Sequence, residues 1–208
     1  GLPLTAQQDS YDLLLTGGHV IDPANEIDGV RDVAIRNGRI ARVAASIPAD
    51  SAKRRVDLKG LYVVPGLVDI HSHHYGYSGA LFPDDVALPA GTTTVVDAGG
   101  PGWRNFEDYR EKILRRSKTR VLTFINIVGL GMGGNESSVE DMDSQATARK
   151  ILEYPDLIVG IKNAHFGGQG FISVERAVEA GRLSNRPVIL DNNILSWTGR
   201  DTRTKVLE

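Results

Sequence analysis

The chain of 208 residues contains no cysteine, and that one absence excludes disulfides, thiolate metal ligands and a cysteine nucleophile together. Any metal held here must sit on nitrogen and oxygen. An excess of one charge sign is also lacking, since 24 Lys and Arg against 26 Asp and Glu leave a formal net charge of -2. Neither nucleic acid nor an anionic membrane is therefore expected as a partner, because either favours a strongly basic face. No stretch approaches the roughly 20 apolar residues needed to span a bilayer. What remains is a composition ordinary for a globular protein, 41% hydrophobic and 24% charged, in a chain long enough to bury a sizeable core. The expected partner is a small-molecule substrate, and a homo-oligomer is compatible with this composition.

The two ends carry separate signals. Leu2-Pro3-Leu4-Thr5-Ala6-Gln7-Gln8 looks like the end of a secretory signal, with Leu4-Thr5-Ala6 as a small-residue cleavage site. A disordered tail fits equally well, so residues 1–10 are set apart. The first reading implies a periplasmic or secreted protein, the second a cytoplasmic one. Thr202 to Glu208 has a helical pattern without a Gly or Pro stop, which leads us to expect truncation there.

From Tyr11 to Val64, short apolar runs are broken by turn residues: Asp12–Gly17, Gly18–Ile21, Asp32–Ile35, Arg39–Val43, Arg55–Leu58 and Leu61–Val64. Asn37-Gly38 predicts a type I′ hairpin, since both residues tolerate the positive φ that turn demands. Residues 11–64 are expected to form a small β-sandwich domain.

After Pro65-Gly66 the pattern changes. Near-continuous apolar runs at Leu67–Ile70, Thr92–Ala98, Val121–Val128, Leu157–Lys162 and Pro187–Leu190 predict parallel strands buried on both faces. Helical patterns at Phe106–Arg116, Val139–Leu152 and Val174–Leu183 alternate with them, with Ser173 as the expected N-cap of the last and Asn185 and Pro187 as its stop. Residues 65–208 are thus read as α/β, of (β/α)8 TIM-barrel type, truncated after about five strands.

Chemistry concentrates at the ends of two of these strands. In Leu67-Val68-Asp69-Ile70-His71-Ser72-His73-His74, side-chain alternation points His71 and His73 the same way, where two imidazoles can grip one metal ion. His74 faces the other way and is expected behind the ligands or against substrate. Lys162 closes the apolar run Leu157-Ile158-Val159-Gly160-Ile161. An ammonium there must find a partner, lose its charge, or react with carbon dioxide to form a metal-bridging carbamate. Trp103, after Gly99-Gly100-Pro101-Gly102, is placed at the same rim as a substrate contact, as is His165. Gly129-Leu130-Gly131-Met132-Gly133-Gly134 lacks the Lys-Ser/Thr ending of a phosphate loop and is read as a flexible active-site loop.

These residues carry a resemblance. Asp12-Leu13-Leu14-Leu15-Thr16-Gly17-Gly18-His19-Val20-Ile21-Asp22, Pro65-Gly66-Leu67-Val68-Asp69-Ile70-His71-Ser72-His73 and Gly91-Thr92-Thr93-Thr94-Val95-Val96-Asp97 resemble the opening strand and first two barrel strands of the amidohydrolase superfamily. Val159-Gly160-Ile161-Lys162 is similar to the carbamylated-lysine strand of its dihydroorotase, hydantoinase and D-aminoacylase branch, most like the deacetylase-type members. The resemblance implies one or two divalent ions, Zn2+ by expectation, on His71, His73 and Lys162. It also implies metal-assisted hydrolysis of an amide, from an N-acyl amino acid or cyclic amide, or of an acyl ester. Where the family has a strand-five histidine this chain has Asp191, which stands first as its replacement, with a mononuclear site or His165 as alternatives. The family's general-base aspartate would fall beyond Glu208. A non-catalytic assembly or binding module on the same fold is the alternative.

Overall fold

The computed structural model describes residues 10–168 and 170–191; the expected helix from Thr202 to Glu208 and the tail at 1–9 lie outside them. The chain divides into two compact units, Gly1–Pro65 and Gly66–Glu208.

The first unit is built from β1 (Leu13–Asp22), β2 (Ile27–Arg36), β3 (Arg39–Ala44), β4 (Arg55–Asp57) and β5 (Tyr62–Val63). Asn37 and Gly38 join β2 to β3 with φ of +53° and +70°, the two-residue turn their chemistry predicts. The runs Asp12–Gly17 and Gly18–Ile21 are one strand, interrupted by a bulge between Leu15 and Gly18 in its pairing with β2. Gly17 takes φ +71° there, and the Asp32 carboxylate accepts its N–H at 2.9 Å and that of Ile47 at 2.9 Å. One buried carboxylate thus pins the bulge that looked like a strand break. The expected sandwich is replaced by one mixed sheet, ordered β3-β2-β1-β4 with β5 also on β1. β4 and β5 are too short to form a second layer; both pair in parallel with successive parts of β1. Leu14, Ala34 and Ile47 form its buried centre.

The second unit alternates strands and helices: β6 (Leu67–Ser72), α1 (Pro83–Val86), β7 (Thr92–Gly102), α2 (Phe106–Tyr109), β8 (Arg120–Asn126), α3 (Ser144–Glu153), β9 (Ile158–Asn163), α4 (Ile172–Ser184) and β10 (Val188–Leu190). All neighbouring strands are parallel and follow chain order, β10-β9-β8-β7-β6, in a curled sheet. Val95, Val121, Ile125, Ile158 and Ile161 pack with Phe106, Tyr109, Ile151, Ala177 and Ala180 in the main core. Full burial of such an aliphatic or aromatic side chain stabilises by about 1.5–3 kcal/mol.

Three helix expectations shift. α2 continues through Arg110–Leu114 as a π-helical turn rather than a regular helix to Arg116. α3 starts at Ser144 because Asp143 caps it, accepting the Ala146 N–H at 2.9 Å. Ser173 is not the N-cap of α4: it lies inside the first turn with its hydroxyl buried and without a hydrogen-bond partner among the described residues, and Phe171 holds the cap position. Asn185 does end α4, in the left-handed conformation.

Candidate active site

The strand ends of β6, β9 and β10 bring together residues far apart in sequence. Lys162 lies on β9 opposite Ile189 of β10, and Asp191 follows β10 with its N–H donated to the Asn163 carbonyl at 2.9 Å. That extension of the ladder carries Oδ2 of Asp191 to 3.0 Å from Nζ of Lys162 and 3.8 Å from Nε2 of His71. Nζ of Lys162 is 3.3 Å from the same His71 nitrogen. The lysine side chain is 1% exposed. An ammonium so buried requires a compensating charge, and Asp191 supplies it.

His73 stands beside this group, its ring centroid 5.2 Å from that of His71 at a near-perpendicular 84°. Burial pushes its pKa down to about 4, with the positive charges of Lys162 and His71 adding to the effect, so the ring is neutral at neutral pH. Its Nδ1 is buried and has no hydrogen-bond partner among the described residues. A neutral imidazole nitrogen without a partner, next to a second imidazole, suits a divalent cation. Among the described residues no three His, Asp or Glu side chains are gathered as a metal would need, so the fit depends on Lys162 joining as a ligand.

The remaining expected residues occupy other positions. His74 is buried, with Nδ1 donating to the Leu81 carbonyl at 2.7 Å and Nε2 lying 2.9 Å from Ser72 Oγ. With both nitrogens engaged, it braces the exit from β6 rather than facing a ligand. Trp103 packs against the main core, its Nε1 3.4 Å from the Asp141 carbonyl and the Arg104 guanidinium over its ring. Among the described residues its contacts hold the loop after β7 to Asp141. His165 donates Nδ1–H to Glu136 at 2.8 Å.

The surrounding carboxylates and glycines set this geometry. Asp97, fully buried midway along β7, accepts the N–H of His74 at 2.9 Å and of Gly100 at 2.7 Å. Burial raises its pKa to about 7 against the opposing pull of those N–H groups and of Lys162. Gly99, at φ +93°, lies under the Lys162 stem, where a Cβ would be 2.6 Å from Cγ of the lysine. The expected flexible glycine loop is closely packed instead: Gly133 meets Gly76, and Gly131 and Gly76 both face the Gly100 carbonyl, with no room for side chains.

No protein-family profile matches the chain. A deacetylase of Agrobacterium fabrum is 32% identical over 133 residues, covering 61% of this chain and 33% of the relative. A dihydroorotase of Syntrophus aciditrophicus is 40% identical over 116 residues, covering 51% of this chain and 26% of that enzyme. In three dimensions the chain matches a crystal structure of an adenine deaminase with TM-score 0.76 and 29% identity, over 87% of this chain and 50% of that one.

The chain belongs to the amidohydrolase superfamily.

It spans about a third or less of the curated superfamily relatives it matches here. For this amidohydrolase, sequence reading missed Asp97, Gly99, Asn126 and Glu136. Asp97 was findable by an argument like that for Lys162, since it too is a charge set in an apolar strand. Asn126 breaks the run Phe124-Ile125-Asn126-Ile127 and carries the same kind of signal. Glu136 gave none, being one acid in a polar loop.

Proposed function

We propose that the protein is a metal-dependent hydrolase that cleaves an amide, from an N-acyl amino acid or a cyclic amide, or a related acyl ester. The observation that carries this reading is the convergence of His71, Lys162 and Asp191 from three strands, with a His73 nitrogen beside them that has no partner among the described residues. His71, His73, Lys162 and Asp191 would hold one or two divalent ions, Zn2+ being the expected metal. When bound, the metal lowers the pKa of water and polarises the scissile carbonyl. Lys162 serves as ligand after its amine has reacted with carbon dioxide, forming an N–C bond and releasing a proton, to give a carbamate. A free ammonium at about 4 Å from a cation would cost on the order of 4 kcal/mol per unit charge at an effective dielectric near 20, and the carbamate reverses that sign. Asp97 and His74 keep the exit from β6 fixed to β7 while substrate enters. The curled sheet is read as part of a (β/α)8 barrel with this site on its C-terminal rim.

The test is elemental analysis of the full-length protein together with assays on N-acetyl amino acids, hydantoins and acyl esters. Bound divalent metal with turnover of one class supports the proposal. Metal retained with no turnover of any class would favour a non-catalytic binding module, and absence of metal from protein purified without chelator would sink the metal-dependent reading.

A further inference from the structure

Two loops beside the Lys162 group are laced together by a carboxylate that the proposed hydrolysis does not use. Glu136, in the loop after β8, accepts a hydrogen bond from Nδ2 of Asn126 at 2.8 Å and another from Nδ1 of His165 at 2.8 Å. Its side chain is 13% exposed. At the next position Ser137 Oγ accepts the Gly167 N–H at 2.8 Å, so the loop after β8 grips the loop after β9 twice. Asn126, itself buried, also donates to the Gly99 carbonyl at 3.2 Å. Gly99 in turn floors the Lys162 stem. The position of Glu136 is thereby referenced to the strand ends, not only to its own loop.

This carboxylate decides what His165 can do. Glu136 offers only acceptors, so Nδ1 of His165 must carry a proton. In the neutral ring Nε2 is then a bare lone pair, on a side chain 43% exposed. His165 also stands at φ +54°, a conformation uncommon for a residue with a Cβ and concentrated at positions that handle ligands. Its charge, when present, is felt by His73, which puts the ring within electrostatic reach of the candidate ligands.

We propose that Glu136 is a positioning residue that fixes His165 with its proton on Nδ1, and that Nε2 of His165 accepts a hydrogen bond from the N–H of an amide-type substrate. This deepens the hydrolase reading and rests on it for the class of ligand. A lone pair selects a donor, so amides and cyclic amides bearing N–H are preferred over acyl esters and N-alkylated amides that have none.

The test uses full-length, metal-loaded protein with nitrogen-15 in its histidines, the His165 signals being identified from the His165→Gln variant. Wild-type His165 is expected to show a protonated Nδ1 and an unprotonated Nε2. Glu136→Gln, which keeps an acceptor oxygen, retains that state, and Glu136→Ala loses it. Saturation with an N-acetyl amino acid or a hydantoin moves the Nε2 signal, whereas the N-methylated counterpart does not. In kinetics, Glu136→Ala raises KM on the order of 10-fold with a smaller change in kcat, and Glu136→Gln restores most of it. A proton on Nε2, a metal-bound Nε2, or a signal unmoved by any N–H ligand overturns the inference. A signal that moves without turnover sinks the hydrolase reading and leaves the inference standing.

Discussion

Oδ2 of Asp191 lies 3.0 Å from Nζ of Lys162, in a pair whose cation is 1% exposed and whose carboxylate is 25% exposed. The asymmetry makes the two partners unequal. In metal-free protein, Asp191→Asn is expected to cost about 3 kcal/mol, because it leaves a buried charge uncompensated. Lys162→Met should cost less than about 1 kcal/mol, since the remaining carboxylate reaches water. Both variants should lose metal. Urea denaturation of metal-free protein and elemental analysis check the pair, and a Lys162→Met protein less stable than Asp191→Asn would contradict it.

Gly99 is expected to be the glycine whose replacement damages the site. At Gly99→Ala the new Cβ would lie 2.6 Å from the Lys162 side chain and the backbone is held at φ +93°, so strain and overpacking add to about 3 kcal/mol. Gly38→Ala shares the positive φ, at +70°, with nothing within 4 Å, and should cost about 1 kcal/mol. Thermal melts and metal content of the two variants separate the effects: only Gly99→Ala should lose metal.

Asp97→Asn tests whether one buried carboxylate joins the exit from β6 to the middle of β7. An amide side chain has a single acceptor oxygen, so either the His74 or the Gly100 N–H loses its bond. The expected cost is about 1–3 kcal/mol, accompanied by weaker metal retention because the His74 N–H adjoins His73. Unchanged melting and unchanged metal would show that the carboxylate is dispensable.

Asp84 should report its role through pH. It accepts the N–H of Thr119 at 2.8 Å and of Lys118 at 2.9 Å, and the Thr119 hydroxyl at 2.8 Å, tying α1 to the turn before β8. The two backbone N–H groups hold its carboxyl below the ordinary value of 3.8. A depressed carboxyl pKa contributes stability that is present above the unfolded value and is lost as pH falls through the folded one. The melting temperature of Asp84→Asn should therefore fall less steeply than that of the parent below about pH 4. Parallel curves for the two proteins would remove Asp84 from the account.

Local chemistry was legible wherever a residue and its neighbours settle the matter between them. Asn37-Gly38 made its hairpin because both residues accept positive φ. Apolar runs of strand length made the parallel strands, and β7, β8 and β9 are largely buried as a covered sheet requires. Leu67, Val68 and Ile70 of the edge strand β6 are exposed, against the expectation of burial on both faces. Spacing singled out His71 and His73, and the close of an apolar strand singled out Lys162; the structure sets the two rings 5.2 Å apart and the lysine nitrogen 3.3 Å from His71. The tertiary structure alone decided what meets what. Lys162 and His71 are 91 residues apart in sequence, and only strand order and register bring them within 3.3 Å. The same register made Asp191 the counter-charge of Lys162, where the sequence had marked it, by resemblance alone, as the stand-in for a histidine. Likewise the bulge at Gly17 depends on a carboxylate from the neighbouring strand, so two apparent strands were one. The lacing of Glu136 to His165 left no mark on periodicity or composition, because hydrogen bonds between loops depend on where the strands set those loops down.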